Sequence, residues 1–478
     1  MRRFSALCLL LLGLIPATAQ ADTPTEAWQP PVLTTERYNE DWSDLASQTN
    51  RSGHWTEKLK YIPLDDTGSA YLTTGLELRL RNEDYRNNAL GNSDAPDNGY
   101  LWTRLLPYAD LHAGLGKVEV RAFAQPAIAY AAGVAPSASA IDQTRVDTLQ
   151  AFADVVVPLG SKTTLRLRGG REMVSLGTER LIGTRYGPNV PLAFDGGRAI
   201  VHRGKLTVNA FYLRPVEPGK GTFDDHTSQA RALWGVYATQ LVGPVGVDVY
   251  WLDYRNDLAR FQNASGRETR RTAGLRFFGK VPVSDNATVH WNMEAMLQSG
   301  HLADQTIHAW SIGSEAGVSF TKAPLKPDLT LRFNVASGDK NAGDHHLGTF
   351  NALFPKGKYF GELSPIGPYN LVNLQPVLAF DLGQGVGLSF AAGAYWRQSR
   401  GDGVYDIPGH LLVASDAVAH GGSGRFLGNQ AETSVEWRAT QELTLSASLS
   451  LFRTGGFLRE AGYARTIHMA GLEANYRL

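Results

Sequence analysis

Hydrophobic and polar residues alternate with a period of two along many stretches of this chain. In Leu443–Leu451, leucine or alanine alternates with serine or threonine. Leu76–Arg81 and Leu329–Val335 alternate apolar residues with polar ones that include arginine, and residues 468–478 repeat the pattern at the C-terminus. Successive side chains of a strand point to opposite faces, so these stretches predict strands with one apolar and one polar face.

Strands of this kind occur in two classes of protein. In a soluble sheet the apolar face meets a core, whereas in a membrane barrel it meets lipid and the polar face lines a hydrated interior. Short turn signals such as Leu159-Gly160-Ser161 and Gly243-Pro244 separate some strands, and longer polar stretches separate others. The long stretches include residues 87–99, 217–228, 337–368 and 399–424. This alternation favours an all-β fold, an outer-membrane-type transmembrane antiparallel β-barrel of about 18 strands.

The first residues have the pattern of an export signal. Arg2 and Arg3 precede the apolar stretch Phe4–Ile15, and Ala19-Gln20-Ala21 offers a small-residue cleavage site. We therefore predict a secretory signal peptide at residues 1–21. A membrane anchor is the alternative, but it would need about 20 apolar residues. The only cysteine, Cys8, lies in this signal, so the mature chain would hold no disulfide and no thiolate site.

The predicted domain organisation has three parts. The signal peptide is followed by a periplasmic N-terminal segment at residues 22–70 and by the barrel at residues 71–478. The segment contains TERYNEDWSDLA, which could form a short helix. The simpler interpretation makes it a leader into the first strand, and the alternative makes it a small plug across the periplasmic mouth.

Charge and motifs exclude several functions. The chain has 46 basic and 46 acidic residues, so it carries no overall basic field for nucleic acid. No GxSxG elbow, P-loop or HExxH motif is present, and we predict no enzyme activity, no cofactor and no metal. Residues 338–346 gather acids and histidines, among them Asp344, His345 and His346, without a recognised ligand spacing. An outer-membrane lipase remains an alternative, with His202, His301 or His468 as base.

Four stretches carry a resemblance to a known family. They are residues 168–198, residues 336–376, KYIPL at 60–64 and LWGVYAT at 233–239. Together they resemble the alginate-export family of outer-membrane β-barrels. The resemblance implies a monomeric barrel in the bacterial outer membrane, in contact with its lipid, whose polar lumen passes an anionic polysaccharide, with periplasmic export components as implied partners. Ser446 and Ser448 stand where such an exporter would be expected to carry arginine.

Arginines on the polar side of the strands are the candidate pore residues. They are Arg79, Arg81, Arg166, Arg168, Arg276 and Arg332. A guanidinium binds a carboxylate through two parallel hydrogen bonds, and the nearby acids Glu77 and Glu172 would prevent binding from becoming too tight. In the alternative interpretation the arginines pair with acids of the lumen and only hold loops in place.

The irregular stretch at residues 171–195 supplies three further candidates, Arg171, Arg180 and Arg185. A charge at the bilayer midplane costs about 2–4 kcal/mol, so this stretch should fold inward or lie at a rim. Simple alternation puts Arg171 on the leucine side of its strand. We therefore predict a bulge at Gly169-Gly170 that turns Arg171 inward.

The function expected from the residues and the resemblance is passive conduction of an anionic polysaccharide or oligosaccharide through an arginine-lined lumen. The alternative within transport is an uptake porin for small anionic or aromatic substrates. The sequence leaves the substrate and the direction of transport open.

Overall fold

The computed structural model describes residues 28–92, 97–418 and 424–478. The predicted signal peptide at residues 1–21 lies outside this range. The described residues contain eighteen long strands. They are β1 (Ala70–Arg86), β2 (Asn98–Leu115), β3 (Val118–Ala132), β4 (Asp147–Gly160), β5 (Thr163–Glu172), β6 (Phe194–Arg203), β7 (Leu206–Glu217), β8 (Arg231–Val242), β9 (Val245–Arg260), β10 (Ser265–Pro282), β11 (Ala287–Leu302), β12 (Gln305–Phe320), β13 (Asp328–Ala336), β14 (Leu371–Gly383), β15 (Val386–Arg397), β16 (Phe426–Arg438), β17 (Leu443–Thr454) and β18 (Ile467–Arg477).

Other regular structure is short. The α-helical turns are Glu57–Lys60, Asn88–Gly91 and Gly456–Glu460, and the 3-10 turns are Arg37–Asn39, Ser43–Ala46 and Gln48–Asn50. Short strand pieces outside the eighteen are Ile62–Pro63, His226–Thr227, His346–Leu347, Val404–Tyr405 and Leu411–Val413. Among the described residues, no helix has the length and apolar character that a membrane crossing requires.

The eighteen strands close into one antiparallel barrel. Each pairs with its neighbours in the chain, and β1 pairs with β18, with Glu77 opposite Arg477. The backbones of Leu76 and Leu478 complete the closure, each N–H donating to the other's carbonyl at 3.0 and 2.8 Å. Closure leaves no open sheet edge, so backbone polar groups are satisfied within lipid. The prediction of an antiparallel barrel of about 18 strands is confirmed.

The outer surface is apolar, as the alternation predicts. On β17, Leu449 is 61% exposed while its neighbour Ser450 is only 5% exposed. Leu297 and Leu472, on other strands, are also largely exposed. Such a band of exposed leucines around a closed barrel is the surface that meets lipid hydrocarbon.

The two ends of the barrel differ. At one end strands are joined by short turns, for example at residues 161–162, 204–205 and 243–244. At the other end the connections are mostly long, and two of them span residues 173–193 and 337–370, although β11 and β12 are joined by residues 303–304 alone. Short turns mark the periplasmic end of an outer-membrane barrel. The N-terminal segment lies at this end, since β1 begins and β18 finishes there.

Candidate functional site

Two long loops fold into the lumen and meet there. We call residues 173–193 and residues 337–370 the first and second lumen loops. The N–H of Gly183 donates to the carbonyl of Phe354, and the N–H of Phe354 donates to that of Leu181, both at 2.9 Å. Ile182 and Phe354 are each 1% exposed and form a parallel bridge. The two loops therefore narrow the lumen as one packed unit.

Arginines of the barrel wall hold the first lumen loop. Arg104 of β2 is fully buried, donates to Glu77 at 2.6 Å and donates to the carbonyl of Pro188 at 3.1 Å. Arg79 of β1 donates to the carbonyls of Tyr186 and Pro188 at 3.0 and 2.8 Å. Carbonyl oxygens are the acceptors that remain free in an irregular loop, and buried ones need donors. Arg79 is a predicted pore residue, and its contacts hold a loop in place, as the alternative interpretation of the arginines predicts.

Most other predicted arginines are paired with acids of the lumen. Arg81 lies beside Glu83 and contacts Glu362 and Glu473, at 3.1 and 3.2 Å respectively. The remaining pairs are Arg180 with Glu294 at 3.2 Å, Arg276 with Asp248 at 2.6 Å and Arg332 with Glu315 at 2.8 Å. These contacts neutralise much of the charge that the sequence places in the lumen.

One group of arginines outnumbers its acids. Arg166 and Arg168 share Asp154, at 3.3 and 2.7 Å, and Arg168 and Arg198 share Glu172, each at 2.9 Å. Arg121 pairs with Asp110 and lies 3.9 Å from Asp154. Four guanidiniums thus share three carboxylates, and we call these seven residues the arginine network. The network brings together the predicted residues Arg166, Arg168 and Glu172.

Arg171 does not turn inward. The ladders that β5 forms with both neighbours continue without a shift across Gly169 and Gly170, so the predicted bulge is absent. Arg171 instead lies directly across from Asp195 and donates to it at 2.8 Å. A carboxylate on the next strand satisfies the guanidinium on the outward face near the loop end, so no rearrangement of the backbone is needed.

Arg185 differs from the other predicted arginines. It lies in the first lumen loop, and its Nε donates to the carbonyl of Pro355 at 3.3 Å. Among the described residues, no carboxylate lies within ion-pair distance of its guanidinium, for which the limit is 4.0 Å. Arg185 is therefore a cation that keeps its capacity for an anionic partner.

The N-terminal segment enters the periplasmic mouth. Arg37 pairs with Glu40 at 2.6 Å and donates to the carbonyl of Leu478 at 3.0 Å. Tyr38 donates from its hydroxyl to the carbonyl of Met173 at 2.7 Å. Its ring packs edge-on against Phe152 at 5.2 Å between centroids. Tyr38 thus contacts the base of the first lumen loop from the periplasmic side.

Cavities lie along the lumen among the described residues, and three of them border the lumen loops or the N-terminal segment. The external cavity, of about 820 Å³, lies between both lumen loops and the residues that follow β9 and β15. The periplasmic cavity, of about 690 Å³, is lined by the four arginines of the network and by Tyr38. A third, of about 430 Å³, lies on the other side of the N-terminal segment against β16 to β18. Space for solute therefore exists on both sides of the packed loops.

The sequence matches the profile of the family described as Alginate export over residues 70–471. This match covers most of the chain. The chain belongs to the alginate-export family. No curated protein matches the sequence.

Solved structures with the same fold come from Gram-negative bacteria and include an outer membrane protein. One is OpdK of Pseudomonas aeruginosa, with a TM-score of 0.56 and 12% identity, covering 85% of this chain and 98% of that one. OccK2 (OpdF) of the same species, in complex with glucuronate, gives a TM-score of 0.56 and 11% identity, covering 88% and 98%. OccAB3 of Acinetobacter baumannii gives 0.57 and 11%, covering 85% and 99%. At these identities the likeness establishes the fold, and the family match and the barrel together establish a bacterial outer-membrane location.

Sequence reasoning missed several buried residues of this alginate-export family barrel. Arg104, Arg121 and Arg270 lie on the lumen face but were not among the predicted pore residues. Alternation could have found Arg104, because it lies in phase with Trp102 and Tyr108, which also point inward. Tyr38 carried no such signal, since it belongs to a segment without period-two alternation.

The acids and histidines of residues 338–346 do not come together as a set of metal ligands. Asp344 accepts the N–H of His346 at 3.0 Å, and His345 lies 3.6 Å from Asp304. A separate acidic cluster, Asp147, Asp224 and Asp225, has carboxylate oxygens within 4.8 Å of one another. Backbone N–H groups already donate to this cluster, including that of Asp225 to Asp147 at 3.0 Å. Neither group carries a metal assignment.

Glu36 makes the docking of the N-terminal segment sensitive to pH. Burial raises the pKa of Glu36 from 4.5 to about 7, although the hydroxyl of Ser175 donates to it at 2.6 Å. The carboxyl of Glu179 raises this pKa further and the guanidinium of Arg198 opposes the rise. Docked Glu36 holds its proton more firmly than undocked Glu36, so docking is strongest below pH 4.5 and weakens as the pH rises to about 7.

We expect the docking free energy to weaken by about 2 kcal/mol as the pH rises through this range. Each unit of pKa shift corresponds to roughly 1.4 kcal/mol, and the partial exposure of Glu36 reduces the total. Hydrogen–deuterium exchange of residues 34–46, corrected for intrinsic rates, measures it as faster exchange at pH 7 than at pH 5. Glu36→Gln should remove the dependence. An equal pH dependence in Glu36→Gln would assign the effect to another group.

Proposed function

We propose that this member of the alginate-export family is a passive outer-membrane conduit for an anionic polysaccharide or oligosaccharide. The channel role follows from the family and the fold. The class of substrate rests on one observation, the arginine network, in which four guanidiniums face the periplasmic cavity and share three carboxylates. A carboxylated sugar could bind to these guanidinium groups.

Such a site binds weakly enough to conduct. Every arginine of the network already has a carboxylate partner, so an incoming anion gains only by exchanging partners. Glu36 and Glu119 also line the periplasmic cavity and oppose tight binding. Conduction of a polymer needs weak, repeated sites rather than one deep one, and this balance of charge provides them. A structurally similar protein, OccK2 (OpdF), was crystallised in complex with glucuronate, which adds support for a uronate substrate.

The proposal also covers the domain organisation of the chain. We infer that residues 22–70 form a periplasmic segment that partly closes the mouth, and that residues 71–478 form a monomeric barrel. The barrel contacts outer-membrane lipid, and periplasmic export components would deliver the polysaccharide to the mouth. In this proposal conduction is passive, and the driving force comes from synthesis or from a concentration gradient.

Block of ionic current tests the substrate class. In planar bilayers, uronate oligomers added on the periplasmic side should reduce the current, and neutral glucose oligomers of equal length should not. Arg166→Gln with Arg198→Gln should weaken the block at least about tenfold, since hydrogen bonds to charged groups contribute roughly 1.5–3 kcal/mol each. Arg271→Gln is the matched control, because Arg271 lies outside the lumen with a side chain 65% exposed.

Two outcomes would contradict the proposal. Equal block by neutral oligomers would assign the effect to size alone. Free permeation of small carboxylates without block by uronate oligomers would favour the second candidate, an uptake porin for small anionic or aromatic substrates. One observation favours that candidate: the external cavity has a volume of about 820 Å³, which is in the range of small-molecule binding sites.

A further inference from the structure

The external cavity contains an unpaired cation. Arg185 lines this cavity and, within the part of the chain that the structure describes, has no carboxylate partner. Its backbone adopts a φ of 47°, a left-handed conformation that is costly for a residue with a side chain. Burial lowers the pKa of its guanidinium, which indicates that surrounding groups compensate its charge incompletely. Strain of this kind persists where the fold holds a residue in a particular place.

A second polar group of the cavity also lacks a partner. The hydroxyl of Tyr369 is buried and has no hydrogen-bond partner among the described residues. Burial raises the pKa of Tyr369, and the charge of Arg185 opposes that rise, so the two groups lie close enough to interact. A buried hydroxyl without a partner normally costs stability, unless a ligand or water completes its hydrogen bond.

The acids of the cavity are already engaged. Glu217 accepts from Arg231 at 3.3 Å, and Glu268 accepts from Arg270 at 2.6 Å. Asp406 accepts from the N–H of Gly409 at 2.8 Å and lies 2.9 Å from Nδ1 of His410. Asp225 accepts from the N–H of Gly219 at 2.8 Å. The charge of Asp406 raises the pKa of Arg185 but forms no ion pair with it, so an incoming carboxylate would supply the ion pair that Arg185 lacks among the described residues.

The rest of the cavity wall combines polar side chains, among them Asn256 and Asn351, with a large apolar part. Its side chains include Leu192, Val216, Tyr254, Phe261 and Phe354. Phe354 and Tyr254 meet edge to face at 5.7 Å between centroids, so part of this wall is a packed pair of aromatic rings. A fully hydroxylated sugar would leave hydroxyl groups unsatisfied against these walls.

We propose that the external cavity binds a small carboxylate carried on an apolar or aromatic ring, with Arg185 and Tyr369 holding the carboxylate and the apolar wall holding the ring. This site goes beyond the proposed function, because its ligand is a small molecule rather than a polysaccharide, and it rests on that function only in lying on the route into the lumen. It differs in ligand class from the arginine network, which faces the periplasmic cavity.

Calorimetric titration of the purified full-length barrel in detergent tests the site, with benzoate as the probe. Benzoate should bind. Arg185→Met should weaken binding at least about tenfold, a loss of roughly 1.4 kcal/mol, because a charge-assisted contact disappears. Tyr369→Phe should weaken it a few-fold. Arg231→Met is the control on the same wall and should have a smaller effect, since Arg231 already pairs with Glu217 at 3.3 Å.

Two comparison ligands sharpen the test. Benzyl alcohol keeps the ring without the carboxylate and should not bind, and glucuronate keeps the carboxylate on a hydroxylated ring and should bind more weakly than benzoate. Unchanged benzoate affinity in Arg185→Met, or glucuronate binding as tight as benzoate, would overturn the assignment. Binding is measured here without current. If uronate oligomers fail to block while benzoate binds, the proposed function fails and the external site stands.

Discussion

Replacing Arg79 and Arg104 together by methionine should release the first lumen loop and raise the single-channel conductance severalfold. Between them the two guanidiniums donate to the carbonyls of Tyr186, Pro188 and Asn189. Methionine retains much of the apolar volume but has no hydrogen to donate. Hydrogen bonds from charged donors contribute about 1.5–3 kcal/mol each, so losing those of both guanidiniums removes several kcal/mol from the attachment of the loop to the barrel wall.

The barrel itself should remain folded in this variant. Glu77 keeps a cation, because Arg477 donates to it at 3.0 Å, and the closed ladder does not depend on either substituted side chain. Conductance in planar bilayers measures the opening, and heat-modifiable migration in gels verifies the fold. Arg271→Met, on the outer surface, should change neither property, since exposed ion pairs contribute about 0–1 kcal/mol. Unchanged conductance in a folded double variant would show that the loop is held by its packing against the second loop alone.

The barrel could be predicted from sequence because every strand obeys one local rule. Lipid outside and polar groups inside impose a period of two, and Leu449 and Ser450 show that rule in adjacent residues. The same rule placed Arg166 and Arg168 on the lumen side of β5, where both contact Asp154. Face and strand identity are local properties, so they can be read from a single chain.

The partners of these residues are not local. Arg81 contacts Glu473, 392 positions away, and Tyr38 contacts Met173, 135 positions away. No periodicity in the sequence indicates such distances. The expected bulge at Gly169-Gly170 was wrong for the same reason, since the acid that satisfies Arg171 lies on the next strand, at Asp195. A single sequence can therefore place a charged side chain on a face without showing whether it binds substrate or holds a loop.

Replacing Arg37 and Tyr38 together by alanine should undock the N-terminal segment and widen the periplasmic mouth. Tyr38 is 6% exposed, and truncation of a buried aromatic costs about 3–5 kcal/mol. Replacing Arg37 removes a further anchor, the hydrogen bond that its guanidinium donates to the carbonyl of Leu478 at 3.0 Å. The barrel wall does not require either residue, so the loss should appear as movement of the segment rather than unfolding of the strands.

A single introduced cysteine reports this movement from the periplasmic side. The chain's own cysteine, Cys8, lies in the predicted signal peptide, so Ile200→Cys in the mature protein offers one thiol on the wall of the periplasmic cavity. In the double variant, a membrane-impermeant thiol reagent should label this position at least about tenfold faster, as expected if docking loses more than 1.4 kcal/mol. Trp55→Ala is the control within the segment, because Trp55 is 54% exposed and should leave labelling unchanged. Equal labelling in all variants would mean that the segment does not limit access, and the periplasmic mouth would then be narrowed by the lumen loops alone.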